Sequence, residues 1–205
     1  EILHRLDPLL NPSKVLITSR HRFQGNVYTI HLTGLDEDGS LRFIHKEAQG
    51  KNIKDVANAK SSELKQIAEA TGGLPLVLKL IVGQLEHLPL KVVLDELRTI
   101  RPSIDSDKSE YVLFYKSIFS PFWKRLSSDA KMLLIAMTTF SPSIGGTFEA
   151  VKAVSDLGAD ELVRSIDELY LAGFLEISDS SSERKVRYYL HALTYHFLLS
   201  DIVKL

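Results

Sequence analysis

Four groups of residues in this sequence are of types and spacings that could do chemistry. Lys14, Val15, Leu16, Ile17, Thr18, Ser19 and Arg20 form a short apolar run that turns polar at its far end. That is the pattern of a strand buried on both faces of a parallel sheet. In open α/β sheets ligands sit outside the carboxyl ends of the strands, so Arg20, with Thr18 on the same strand, stands where a guanidinium fork meets phosphate oxygens. A solvated arginine closing a strand is the plain alternative. Gly72-Gly73-Leu74-Pro75 has a complete local explanation, because paired glycines stop one helix and a proline at the first position starts the next. The proline ring is also a rigid apolar face without an N–H, able to pack on a base and leave no donor unpaired. His191 falls between a strand pattern and a helix pattern, where an imidazole near backbone amides can donate to a phosphate oxygen. Lone histidines in such places are more often structural. The fourth group, Gly34 to Gly39, has the glycine spacing of a phosphate-binding loop. Ser40, however, stands where lysine is required, and Asp36, Glu37 and Asp38 would repel phosphate.

Further chemistry is thin. The sequence holds no other phosphate-loop candidate and no apolar run ending in paired acids for magnesium. His4, His21, His31, His45, His87 and His196 lack metal-ligand spacing, and no Ser/His/Asp arrangement emerges from sequence order.

The elements that must position these groups follow from periodicity. Ile2, Leu6, Leu9 and Leu10 share a helical face that Asn11-Pro12-Ser13 ends; the run 14–20 then reads as one strand and the alternating 27–32 as a second. Helical patterns take over from Asp36. Leu41, Ile44 and Ala48 share one face, and Leu64, Ile67, Ala68 and Thr71 share another. Residues 76–85 are apolar almost all round, as in a helix buried at the centre of a bundle, and Leu90, Val93, Leu94 and Leu97 mark a fourth helix. A polar, proline-marked stretch at 101–107 reads as a boundary. Beyond it come an aromatic helix from Tyr111 with a bend or stop at Pro121, helices over 128–137, 147–155 and 160–172, strands over 174–177 and 186–190, and a closing helix over 191–203. Helices followed by a β-ribbon describe a winged-helix unit. The expected organisation is mainly α: residues 1–35 as the end of an α/β domain, 36–105 as a four-helix bundle, 106–205 as a winged helix.

Composition sets the outer limits. With 44% hydrophobic and 25% charged residues the chain falls in the range of folded globular proteins, not of disordered chains. A net charge of -1 gives no global field for DNA or anionic lipid, which disfavours nucleic acid as a partner. No run of 18 apolar residues predicts a membrane span, and no signal-peptide pattern is present. The absence of cysteine removes disulfides and thiolate chemistry and fits a reducing, cytoplasmic setting. A start at Glu1 and not at methionine is expected of a piece of a longer protein.

The order of landmarks resembles one family. Residues 14–20, Gly73-Leu74-Pro75-Leu76 and Leu190-His191-Ala192-Leu193 occur in the sequence and at roughly the spacing of the strand-end sensor, GLPL and MHD motifs of NB-ARC proteins. These belong to the STAND class of signalling ATPases, which includes plant disease-resistance receptors and apoptosis-type ATPases. The resemblance spans the whole chain, starting after the place of a Walker B strand. It implies ADP or ATP as ligand in the intact parent, with magnesium bound through residues that this sequence does not contain. It also implies Arg20 as a sensor of the γ-phosphate, Pro75 beside the adenine or ribose, and His191 as a latch on the β-phosphate of ADP. The implied partners are an upstream P-loop domain, a downstream sensor domain and further copies of the protein on activation. Without Walker motifs the chain by itself is expected to be inactive as an ATPase. Two departures stand out: Leu190 replaces Met, and Ala192 replaces the Asp whose carboxylate could orient His191.

Two other functions compete. A winged helix can read DNA, but the candidate helix 160–172 carries Asp160, Glu161, Asp167 and Glu168 against Arg164, the wrong sign for phosphates. Alternatively the chain is a helical protein-interaction module, with aromatic residues 114–123 at an interface.

Overall fold

The computed structural model describes residues 14, 16–18, 28–30, 32–99, 108–179 and 186–204. They fall into two compact units, Glu1–Leu32 and Thr33–Leu205. In the first unit neither expected strand is present at the described positions. Residues 16–18 and 28–30 lie in no regular element, and Leu16 is 89% exposed. At these positions this corrects the expectation of a buried strand over 14–20 and a second over 27–32; residues 15, 19, 20, 27 and 31 of those ranges lie outside the described residues. A strand persists only when neighbours take its N–H and C=O groups, and among the described residues nothing pairs with these.

The second unit is mainly helical with a three-stranded antiparallel sheet. Helix α1, Glu37–Gly50, starts at Asp36, whose Oδ1 accepts the Gly39 N–H at 2.7 Å. The acidic run that mimics a phosphate loop is therefore a helix start, with Glu37 and Asp38 beside the positive end of the helix. A short helix α2, Lys54–Asn58, was not expected; it buries Val56. Helix α3, Ser61–Thr71, buries Leu64, Ile67, Ala68 and Thr71, the face its periodicity marks. Helix α4, Pro75–Gln84, is buried on nearly every side, and α5, Leu90–Thr99, turns Val93, Leu94 and Leu97 inward.

Helix α6, Lys108–Arg125, runs through Pro121, so of the expected bend or stop there the stop is corrected. The proline removes one backbone bond, but Ile118, Phe119, Phe122 and Leu126 are buried on either side of it and hold the helix down. Phe119 meets Phe174 edge-on at 4.8 Å between centroids and Phe197 at 4.1 Å. Phe119 and Phe122 therefore belong to this chain's own core, which removes these two from the aromatic stretch expected at an interface; the side chains of Phe114 and Tyr115 lie outside the described residues.

Helix α7, Ser128–Ala136, is followed by strand β1, Gly146–Thr147, helices α8, Phe148–Ser155, and α9, Ala159–Leu171, and strands β2, Leu175–Asp179, and β3, Val186–Leu190. The sheet order is β1-β3-β2, with Leu175 opposite Leu190 and Gly146 opposite Tyr188. Helix α10, Ala192–Phe197, closes the chain and widens into a π turn over Leu198–Val203. The buried apolar side chains form a single cluster running from Ile44 in α1 to Leu198. Helices on both sides of the expected boundary at 105 share it.

Candidate functional site

The Gly72–Pro75 segment is shaped by its backbone. Gly72 and Gly73 have φ of 59° and 65°, a left-handed turn that ends α3 and that side chains with a β-carbon resist. Leu74 is extended and Pro75 takes the first position of α4, where its missing N–H leaves no bond unmade. The Leu35 N–H donates to the Gly73 carbonyl at 2.8 Å. A β-carbon on Gly73 would lie 2.0 Å from the Leu35 oxygen, and one on Gly34 would lie 1.8 Å from the Gly72 oxygen. Two pieces of main chain touch here, and glycine alone permits it. The Pro75 ring is left exposed at the helix start.

One turn further along α4, Lys79 Nζ donates to Glu176 Oε1 of β2 at 2.9 Å. Another turn on, Gly83 meets the end of α9, and a β-carbon there would lie 2.6 Å from the Leu171 and Ala172 carbonyl oxygens. Gly173, with φ of 83°, lets the chain reverse against the Lys79 carbonyl. Pro75, Lys79 and Gly83 recur every four residues and so follow one face of α4. The last two of them dock the turn that joins α9 to β2. From α1, the Lys51 ammonium reaches the same turn and donates to the Leu171 carbonyl at 2.8 Å.

His191 caps α10. Its Nδ1 accepts the Leu193 N–H at 3.1 Å, which makes the neutral imidazole the tautomer with hydrogen on Nε2. Burial pushes its pKa below the usual imidazole value; Glu176 opposes that shift and Lys79 adds to it. The ring is held as a neutral donor by a backbone amide. With Ala192 supplying no carboxylate, the Leu193 N–H is the group that orients the ring.

Among the expected site residues, Gly73, Leu74, Pro75 and His191 lie in one unit, joined through Lys79 and Glu176. Arg20 lies outside the described residues, and Thr18 is exposed and in no regular element. Two surface clefts occur elsewhere, one along α8 near Glu149 and Asp156 and one between Asn52 and Pro89; none of Gly73, Pro75 or His191 lines either. Among the described residues no group of His, Asp or Glu side chains is placed to hold a metal ion, and no helix is long and apolar enough to cross a membrane.

Sequence reasoning missed Lys79, Glu176 and Lys51. Lys79 had a visible signal, since it is the one charge in the apolar run 76–85. Such a charge needs a partner. Glu176 and Lys51 carried none, because their partners lie 97 and 120 residues away. No protein-family model matches the chain, and no curated protein is similar to it at a significant level.

Proposed function

We propose that this chain is the regulatory, nucleotide-sensing portion of an NB-ARC/STAND signalling ATPase, coupling the ADP or ATP state of its parent to domain opening and oligomerisation. The observation that carries the reading is the Lys79–Glu176 bond. It ties the helix begun by Gly73-Leu74-Pro75 to the hairpin whose other strand ends at His191. The elements that carry two motifs more than a hundred residues apart are thereby tied to each other, which supports the reading. The order helix, strand, two helices, hairpin, with β1 added to the outer side of β3, agrees with a winged helix in this half.

The chemistry assigned to each residue follows from its setting. His191, neutral and fixed through Nδ1, keeps its Nε2–H for a β-phosphate oxygen. Pro75 offers an exposed apolar ring beside which adenine can stack. Arg20 is assigned to the γ-phosphate and Thr18 to the same end of the site. Magnesium would come with ATP, held by residues outside this sequence. Exchange of ADP for ATP then removes the latch and shifts the population towards an open packing. The α9 helix argues against a DNA reader: Glu161 is occupied by Arg164, Glu168 by Ser127, and Asp160 and Asp167 face solvent.

The test is nucleotide retention in the full-length protein carrying this chain. His191→Ala should release ADP about tenfold faster while circular dichroism is unchanged, an effect within the usual range of coupling energies. Retention equal to the parent would remove His191 from the nucleotide site and the proposal with it.

A further inference from the structure

We propose that Lys51 is an opening load built into the joint between α1 and the α9–β2 turn, a buried ammonium without a carboxylate partner that favours parting of the two. The residue is only 8% exposed. Its Nζ donates to the Leu171 carbonyl at the C-terminal end of α9, where the helix dipole is negative. Among the described residues no carboxylate lies within ion-pair distance of it. The charged groups that face it are Glu47 on its own helix, Lys79 on α4 and Glu86 just after α4; α9 contributes the carbonyl. Lys79, the cation among these groups, is already bonded to Glu176.

The turn that Lys51 touches is self-sufficient. The N–H groups of Ala172, Gly173 and Phe174 all bond back to carbonyls of α9, at Glu168, Tyr170 and Leu169. Parting the joint therefore leaves these bonds intact. It breaks the Lys51 bond and the Lys79–Glu176 pair, separates the Gly83 and Gly173 contacts and returns an ammonium to water. A neutral carbonyl compensates a buried charge poorly, so exposure relieves the desolvation.

The pH dependence has a definite sign. Burial lowers the Lys51 pKa from 10.5 to about 8 in the closed packing. Below pH 8 the ammonium is present in both packings and the load is complete. Between 8 and 10.5 the closed form sheds its proton first, and closing becomes steadily more favourable. The proposal concerns this chain without nucleotide, so its failure leaves the ADP reading untouched.

The chain has no cysteine, so Ala172→Cys places a lone thiol at a buried position in the joint. Its labelling rate by a disulfide reagent, corrected for thiolate fraction with an unfolded peptide, reads opening. Adding Lys51→Met should slow labelling about tenfold or more at pH 7.5, and the difference should shrink by pH 9.5. Equal or faster labelling with Lys51→Met would make the ammonium a stabilising bolt and overturn the proposal. A second measurement needs no thiol: urea unfolding of the parent chain and of Lys51→Met at pH 7 and 9.5. The parent should gain on the variant as pH rises; a constant gap would overturn the load.

Discussion

Helix α4 is approached by foreign main chain at two places, and they are built differently. At its start, Gly72 and Gly73 receive the Gly34–Leu35 segment, sealed by the Leu35 N–H bond to Gly73. At its far half, Gly83 and Lys79 receive the α9–β2 turn, and here the contact includes an ion pair half open to solvent and the unpaired Lys51 ammonium. Both places use glycine so that backbone can touch backbone. The first joins segments that stay together within one helical group, with no charge inside. The second joins two groups of helices across a contact that carries an electrostatic cost. A contact can be tightly fitted and still be poised to part, provided part of its fit is expensive.

The largest expected effects separate these two places. Gly73→Ala puts a β-carbon at a left-handed φ and against the Leu35 oxygen, so strain and overpacking add; we expect a loss of about 2–4 kcal/mol in urea unfolding. Gly83→Ala meets only the α9–β2 turn, which can move away as a body. It should cost less, about 1–2 kcal/mol, and a thiol placed by Ala172→Cys should label faster while the amides of α1–α5 keep their protection from exchange. Uniform loss of protection in Gly83→Ala would mean that the second contact cannot open separately, and the distinction would fail.

The same contrast governs what the sequence makes legible. Helices α1, α3, α4 and α5 follow from faces repeating every three to four residues, because each buries that face against near neighbours. Strands β2 and β3 follow similarly from alternation and a polar turn. The two-residue strand β1 is too short for any period, and α2 buries one side chain, Val56, too few for a pattern. The reading of 14–20 as a buried strand rested on a short apolar run that turns polar at its far end, without neighbours in sequence to cover it. Residues 76–85 form a longer and more apolar run, and their burial came from the helices packed around them. Within the candidate site, Gly73, Pro75 and His191 were visible as residue types at helix ends, whereas Lys51, Lys79 and Glu176 act through partners far away in sequence.

His191 gives a smaller, pH-dependent effect. As a cap accepting from Leu193, its replacement by Ala should cost about 1 kcal/mol. Its pKa in the folded chain lies below the ordinary 6.5, because burial disfavours the imidazolium, and protonation would also turn Nδ1 from acceptor to donor against the Leu193 N–H. The unfolded chain thus binds more protons as pH falls through and below 6.5, and stability declines there. Asn keeps a capping oxygen and does not titrate, so His191→Asn should flatten this part of the urea midpoint against pH curve. An unchanged slope would place the titration elsewhere.

The smallest stability effect, and the sharpest sign, belongs to the Lys79–Glu176 pair. Glu176 is 45% exposed on its side chain, so screening limits the bond to under about 1 kcal/mol, and stability alone says little about it. Its influence on the imidazole is more informative. Glu176 raises the His191 pKa and Lys79 lowers it, so removing each charge must act in opposite directions. Proton NMR titration of the His191 ring should show a lower pKa in Glu176→Gln and a higher one in Lys79→Gln. A loosened joint would expose the ring in both variants and raise both values towards 6.5. The direction in Glu176→Gln therefore decides between the two: a fall means that the pair acts on His191 through its charges, and a rise means that it merely holds the hairpin against α4.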